Sequence, residues 1–123
     1  MCIFCDLFKN QKFVVYENDS MFAILDEYPV SKGHVLIIPK RHVEDYFLLT
    51  NQEKKDADDA IIWLKDCLNE KYHPDGYNIG INNGKAAGQT MMHVHIHLIP
   101  RYHGDMTDPK GGVRGVIPNK QKY

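Results

Sequence analysis

The chain is predicted to fold as an α+β domain, an antiparallel five-stranded sheet packed against one long helix. Short apolar runs bounded by turn residues supply the strands, and one sustained helical period opens on a capping box. No repeat, low-complexity tract or Gly/Ser linker divides the 123 residues, so a single domain over residues 1–123 is expected.

Lys12–Tyr16 and Met21–Leu25 read as two strands, with Glu17-Asn18-Asp19-Ser20 between them as the polar turn of a hairpin. A third strand, His34–Pro39, is the apolar run Val35-Leu36-Ile37-Ile38, punctuated by Gly33 and Pro39. In Thr50-Asn51-Gln52-Glu53 the threonine hydroxyl and glutamate carboxylate can satisfy the first free amides of a helix. Ala57, Ala60, Ile61, Leu64, Cys67 and Leu68 then recur at helical spacing, which assigns Cys67 to the core face as a small apolar residue. That helix is expected to end near Tyr72, before Pro74-Asp75-Gly76. Two further strands, Tyr77–Asn82 and His93–Ile99, flank the turn-rich loop Asn83–Gly88. From Arg101 onward, Gly104, Pro109, Gly111, Gly112, Gly115 and Pro118 predict an irregular tail.

Composition excludes several function classes. With 15 Lys and Arg against 16 Asp and Glu, the chain lacks the cationic excess that grips phosphate backbones, so no nucleic-acid partner is expected. No apolar run approaches the roughly 20 residues of a membrane span, and no signal-peptide pattern opens the chain, so a cytoplasmic protein without a membrane partner is expected. An apolar fraction of 43% supports a core without disulfide staples. The three cysteines, Cys2, Cys5 and Cys67, cannot all pair, which favours reduced thiols or metal ligands.

Chemistry concentrates in His93-Val94-His95-Ile96-His97. In a strand this alternation puts the three imidazoles on one face and Val94, Ile96 and Leu98 on the other. Three ionisable rings in register have no packing rationale, and the choice lies between a metal site and nucleophilic or acid–base chemistry. Cys2-Ile3-Phe4-Cys5 is a C-x-x-C pair, able to grip Zn²⁺ or to act as a redox pair, although it opens the chain rather than following a strand. Two histidines from elsewhere would complete a closed, structural tetrahedron.

The segment His93–Ile99 resembles the signature of the histidine triad family of nucleotide-binding proteins, in which histidines alternate with apolar residues. Gly88-Gln89-Thr90, the run Gly33–His42 with its Pro39-Lys40-Arg41-His42 end, Ile24-Leu25-Asp26 and the Cys2–Cys5 pair are similar to other family segments, in the same order over residues 2 to 101. The resemblance implies that family's fold with a short N-terminal helix, and attack by His95 on the α-phosphorus of a nucleotide through a nucleotidyl-imidazole intermediate. It further implies donation to phosphate oxygens by His97, Gln89 and Asn82, and service of the leaving-group oxygen by Thr90. Gly88 lies in a glycine-rich loop through which backbone approaches phosphate. Asp26 would accept from the ribose hydroxyls, and Ile3, Phe4, Leu7 and Ile24 would enclose a purine. Structural Zn²⁺ would be held by Cys2, Cys5, His42 and His93.

The tail Asp108–Pro118 is similar to that of diadenosine polyphosphate hydrolases, and Arg114 could reach a polyphosphate. A homodimer joined along Tyr77–Asn82 and the central helices is also implied. His34, His73 and His103 are read as structural or surface residues. The leading expectation is a hydrolase of dinucleoside polyphosphates or adenosine phosphoramidates. A nucleotidyl transferase, a purine-nucleotide sensor, and a zinc hydrolase using His93 and His95 as ligands are the rivals.

Overall fold

The computed structural model describes residues 2–123. Two α-helices, α1 (Ile3–Lys9) and α2 (Asn51–Tyr72), accompany five strands: β1 (Val14–Glu17), β2 (Met21–Leu25), β3 (Val35–Pro39), β4 (Gly76–Gly80) and β5 (Ile96–Arg101). All pair antiparallel in the order β1-β2-β3-β5-β4. The architecture is the α+β fold expected.

The central strands are apolar without alternation because both faces of the sheet are covered. Met21, Ala23, Val35, Ile37, Ile96 and Leu98 pack against Ala57, Ala60, Leu64 and Leu68 of α2. On the opposite face Phe22, Ile24, Leu36 and Ile38 meet Phe4, Leu7 and Phe8 of α1. At seven residues α1 is too short to be stable alone, so this packing is what holds it. Helix α2 starts where the capping box puts it: Thr50 Oγ1 accepts from Glu53 N, and Glu53 Oε1 accepts from Thr50 N. It ends at Tyr72, and His73 takes a left-handed conformation at its C-cap.

Glu53 also receives Arg41, whose Nε and Nη2 donate to its two carboxylate oxygens at 3.2 and 2.8 Å. That bidentate contact ties the turn carrying His42 to the start of α2. The Arg41 hydrogen bonds hold the Glu53 carboxyl below its ordinary pKa against the opposing effect of burial. Glu53→Ala is expected to lower stability by about 1–2 kcal/mol in thermal melts at pH 7. Because the folded-state pKa is depressed, this contribution is present above the unfolded glutamate value of about 4.3 and is lost as pH falls through the lower folded value. The difference between variant and parent should therefore shrink in acid.

Several sequence boundaries move. Strand β1 begins at Val14 rather than Lys12, because Gln11 and Phe13 have positive φ (53° and 62°) as the chain turns out of α1. Strand β4 runs from Gly76 to Gly80, leaving Asn82 in the following loop. The histidine strand starts at Ile96 rather than His93. Opposite this stretch Pro39 has no N–H for a ladder, and its carbonyl accepts instead from His93 Nε2 at 2.7 Å. Cys67 is exposed, not core. It lies at the margin of a stripe centred on Ala57, Leu64 and Leu68. The tail beyond β5 contains two short 3₁₀ turns, Gly112–Val116 and Pro118–Lys120, and is otherwise irregular. Among the described residues no helix is long and apolar enough to cross a membrane.

Candidate active site

A cleft of about 1050 Å³ opens on the α1 face of the sheet. Ile3, Phe4 and Leu7 from α1, Ile24 from β2 and Leu36 from β3 form its apolar walls, and Asp26 lies just beyond β2. At the other end Asn82, Gly88, Gln89, Thr90, His95 and His97 converge. An apolar chamber leading to a few convergent polar groups suits a ligand with a flat apolar end and a charged end.

The two triad rings of the cleft have centroids 5.1 Å apart. His95 Nδ1 lies 3.0 Å from the carbonyl of His93. A carbonyl can only accept, so Nδ1 carries a proton, and in the neutral ring Nε2 keeps the lone pair. That is the arrangement of a neutral nucleophile. His97 Nδ1 is 2.9 Å from His34 Nε2. Burial drives the His97 pKa down to about 4, aided by His95 and His34, so the ring is neutral at pH 7. His34 is 2% exposed and is likewise held below its ordinary value by burial. Asp26 accepts from Tyr28 N at 2.8 Å through Oδ1 and lies 3.4 Å from His34 Nε2 through Oδ2.

Gln89 takes a different part from the one expected of it. It is buried, its Oε1 accepts from Gly84 N at 2.7 Å, and its Nε2 donates to the carbonyls of Glu44 and Met91. Both amide protons are thus committed to backbone, and the side chain shapes the loop that brings Gly88 and Thr90 to the cleft. Gly88 has φ +94°, which a side chain would strain. Gln89→Ala leaves three backbone groups without partners, and is expected to cost about 1–3 kcal/mol in a melt. An unchanged melting temperature would show that the loop keeps its shape without the amide.

Beside the cleft, Cys2, Cys5, His42 and His93 bring their ligand atoms within 4.8 Å of one another. Sγ of Cys2 is 3.2 Å from His93 Nδ1, Sγ of Cys5 is 3.6 Å from the same atom, and Sγ of Cys5 is 3.4 Å from His42 Nδ1. A tetrahedral Zn²⁺ with Zn–S of about 2.3 Å and Zn–N of about 2.0–2.1 Å requires S···N edges of about 3.5–3.6 Å. The four groups therefore fit such an ion with small adjustments. The Pro39 carbonyl takes the His93 Nε2 proton and leaves the Nδ1 lone pair for a metal.

The triad is thus divided: His93 turns to the thiols while His95 and His97 face the cleft. Arg114 is not on the cleft wall; its guanidinium donates to the carbonyls of Lys120 and Gln121 and lies over Tyr123. The sequence reading missed His34, buried between Asp26 and His97. Its position just before a doubly buried strand was the available signal, since a histidine there must be hydrogen-bonded.

The family model for the HIT domain matches residues 8–104. The chain belongs to the HIT family. This HIT domain is 42% identical over 107 residues to an uncharacterized HIT-like protein of Methanocaldococcus jannaschii, an alignment covering 85% of this chain and 82% of that one. It is 34% identical over 106 residues to the adenylylsulfatase HINT3 of Arabidopsis thaliana, covering 85% of the HIT domain chain and 54% of the plant protein. Among solved structures, a Zn-bound histidine triad family protein from Mycobacterium smegmatis superposes with a TM-score of 0.78 at 34% identity, covering 87% of this chain and 79% of that one.

Proposed function

We propose that this HIT domain is a nucleotidyl hydrolase that cleaves at the α-phosphate of purine nucleotides through a covalent intermediate on His95. The observation that carries the reading is the His95 hydrogen bond: Nδ1–H bound to the His93 carbonyl leaves the lone pair of the neutral ring on Nε2, in a side chain that lines the cleft. In the first step Nε2 bonds to the α-phosphorus and the bond to the leaving group breaks. In the second, water attacks the same phosphorus, the P–N bond breaks, and the mononucleotide departs. His97, Thr90 and Asn82 supply donors where charge develops on oxygen, each such donor contributing about 10²–10³ in rate. Asp26 would accept from the ribose hydroxyls, and Ile3, Phe4, Leu7 and Ile24 would enclose the base. The adenylylsulfatase activity named for the plant relative supports this class.

Of the two leaving-group classes, the cleft favours the smaller. No Lys or Arg lies among its lining residues, and Arg114 is bound to the tail of its own chain. A phosphoramidate presents one phosphoryl group to neutral donors, whereas a polyphosphate brings several charges with no cation to meet them. Product formation from adenosine phosphoramidate and from diadenosine tetraphosphate, measured side by side, tests the reading. Faster phosphoramidate turnover supports it, faster tetraphosphate turnover places Arg114 or a second copy at the site, and turnover of neither leaves the nucleotide-sensor reading in front.

The same reading assigns a structural Zn²⁺ to Cys2, Cys5, His42 and His93, which would anchor α1 and hence Phe4 at the cleft. The Zn-bound relative supports it. A homodimer is proposed along β4, an edge strand whose Ile79 is half exposed.

A further inference from the structure

We infer that His34 is a positioning residue that sets which nitrogen of His97 carries the proton, and so determines the hydrogen-bond donor the cleft presents to a phosphate oxygen. The inference rests on the proposed role of His97 as that donor.

The argument starts from an atom whose role is fixed. The backbone amide of Val30 can only donate, and it lies 3.1 Å from His34 Nδ1. That nitrogen must therefore accept, and the single proton of the neutral ring sits on Nε2. His34 Nε2 is 2.9 Å from His97 Nδ1, so Nδ1 of His97 accepts in turn. Burial keeps both rings neutral, so the one proton of His97 is placed on Nε2, the nitrogen left over for the cleft. The opposite tautomer of His97 would bring two N–H groups together in a buried space. Asp26 Oδ2, at 3.4 Å from His34 Nε2, is a second acceptor for the same proton and reinforces its placement.

Two adjacent imidazoles thus hold opposite tautomers by opposite means. The His93 carbonyl makes His95 a bare Nε2, suited to attack. The chain Val30 N–H to His34 to His97 makes the neighbouring ring an Nε2–H, suited to donate. It also links the loop after β2, where Asp26 sits, to the phosphate end of the cleft through one buried side chain.

Two substitutions separate positioning from packing. In His34→Gln the amide nitrogen stands near the former Nε2 and can donate to His97. In His34→Asn the carbonyl oxygen stands near the former Nδ1, satisfies Val30, and leaves nothing to reach His97. The expected result is a kcat about 10–100-fold lower for His34→Asn with a small change in KM, and recovery of most of it in His34→Gln. Nitrogen-15 NMR of the ligand-free wild type should show His97 as the Nε2–H tautomer with an unprotonated Nδ1, and should show that pattern weakened in His34→Asn. A wild-type His97 protonated on Nδ1 overturns the inference, as does equal loss in two variants that both melt like the parent. If His34→Asn fails to fold, the wild-type NMR pattern decides alone. That measurement needs no substrate, so absence of turnover would count against the proposed function and not against the tautomer chain.

Discussion

His95→Ala is expected to lower kcat for the preferred nucleotide substrate by at least about 10³-fold without lowering the melting temperature appreciably. The ring faces the cleft and is partly exposed, so its loss opens solvent space rather than a core cavity. What disappears is the proposed attacking atom, the Nε2 that keeps the lone pair of the neutral ring when Nδ1–H is tied to the His93 carbonyl. The remaining donors would still bind substrate, so KM should change far less than kcat. Quenched single-turnover reactions with α-labelled substrate should also trap label on the wild-type protein and none on the variant. Turnover that survives the substitution would remove His95 as nucleophile. The reading with His93 and His95 as ligands of a catalytic zinc would then take its place.

Stripping a bound metal with a chelator, or replacing Cys5 by serine, is expected to lower the melting temperature by about 10–20 °C. The magnitude follows from linkage: a metal present at a thousandfold excess over its dissociation constant stabilises the folded state by about 4 kcal/mol. The physical cause is local. Cys2 and Cys5 stand at the start of α1, His42 on the turn after β3 and His93 on the segment before β5, so one ion would cross-link three segments that lie far apart in the sequence. Helix α1 has seven residues and no side-chain N-cap bond, so apart from the packing of Phe4 little restrains its first turn. Elemental analysis of protein purified without chelator should find one zinc per chain. Melting should change first and turnover only as Phe4 and the apolar wall loosen. If turnover vanishes at once while the fold persists, the metal is catalytic and the structural assignment fails.

Much of the fold was legible because its signals are local. The capping box at Thr50–Glu53 needs only its own side chains and the first turn, and it forms as the sequence states. The apolar run of β3 identifies a strand buried on both faces, since alternation is lost only when a helix covers each side. Boundaries were less legible where a distant group intervenes. The ladder of β5 starts three residues late because the Pro39 carbonyl is taken by the His93 ring, a contact between positions 54 apart. Cys67 was misplaced because periodicity gives the direction of a helix face but not how far the sheet extends beneath it.

The site divides in the same way. The residue types and their spacing in His93–His97, Cys2–Cys5 and Gly88–Thr90 pointed, without coordinates, to side chains that the fold gathers at the cleft and at the thiol–imidazole cluster, and to the family the chain resembles. Strand alternation alone would give three equivalent imidazoles on one face. Tertiary structure assigned them separate tasks, because backbone carbonyls and a buried neighbour decide where each ring keeps its proton. Pro39 turns Nδ1 of His93 toward the thiols, the His93 carbonyl leaves Nε2 of His95 bare, and His34 places a proton on Nε2 of His97. Gln89 likewise became a loop brace rather than a free donor, and Arg114 was drawn to its own tail. Residue identity is a property of the chain, whereas the role of an imidazole or an amide depends on which partners the fold brings within 3 Å of each nitrogen.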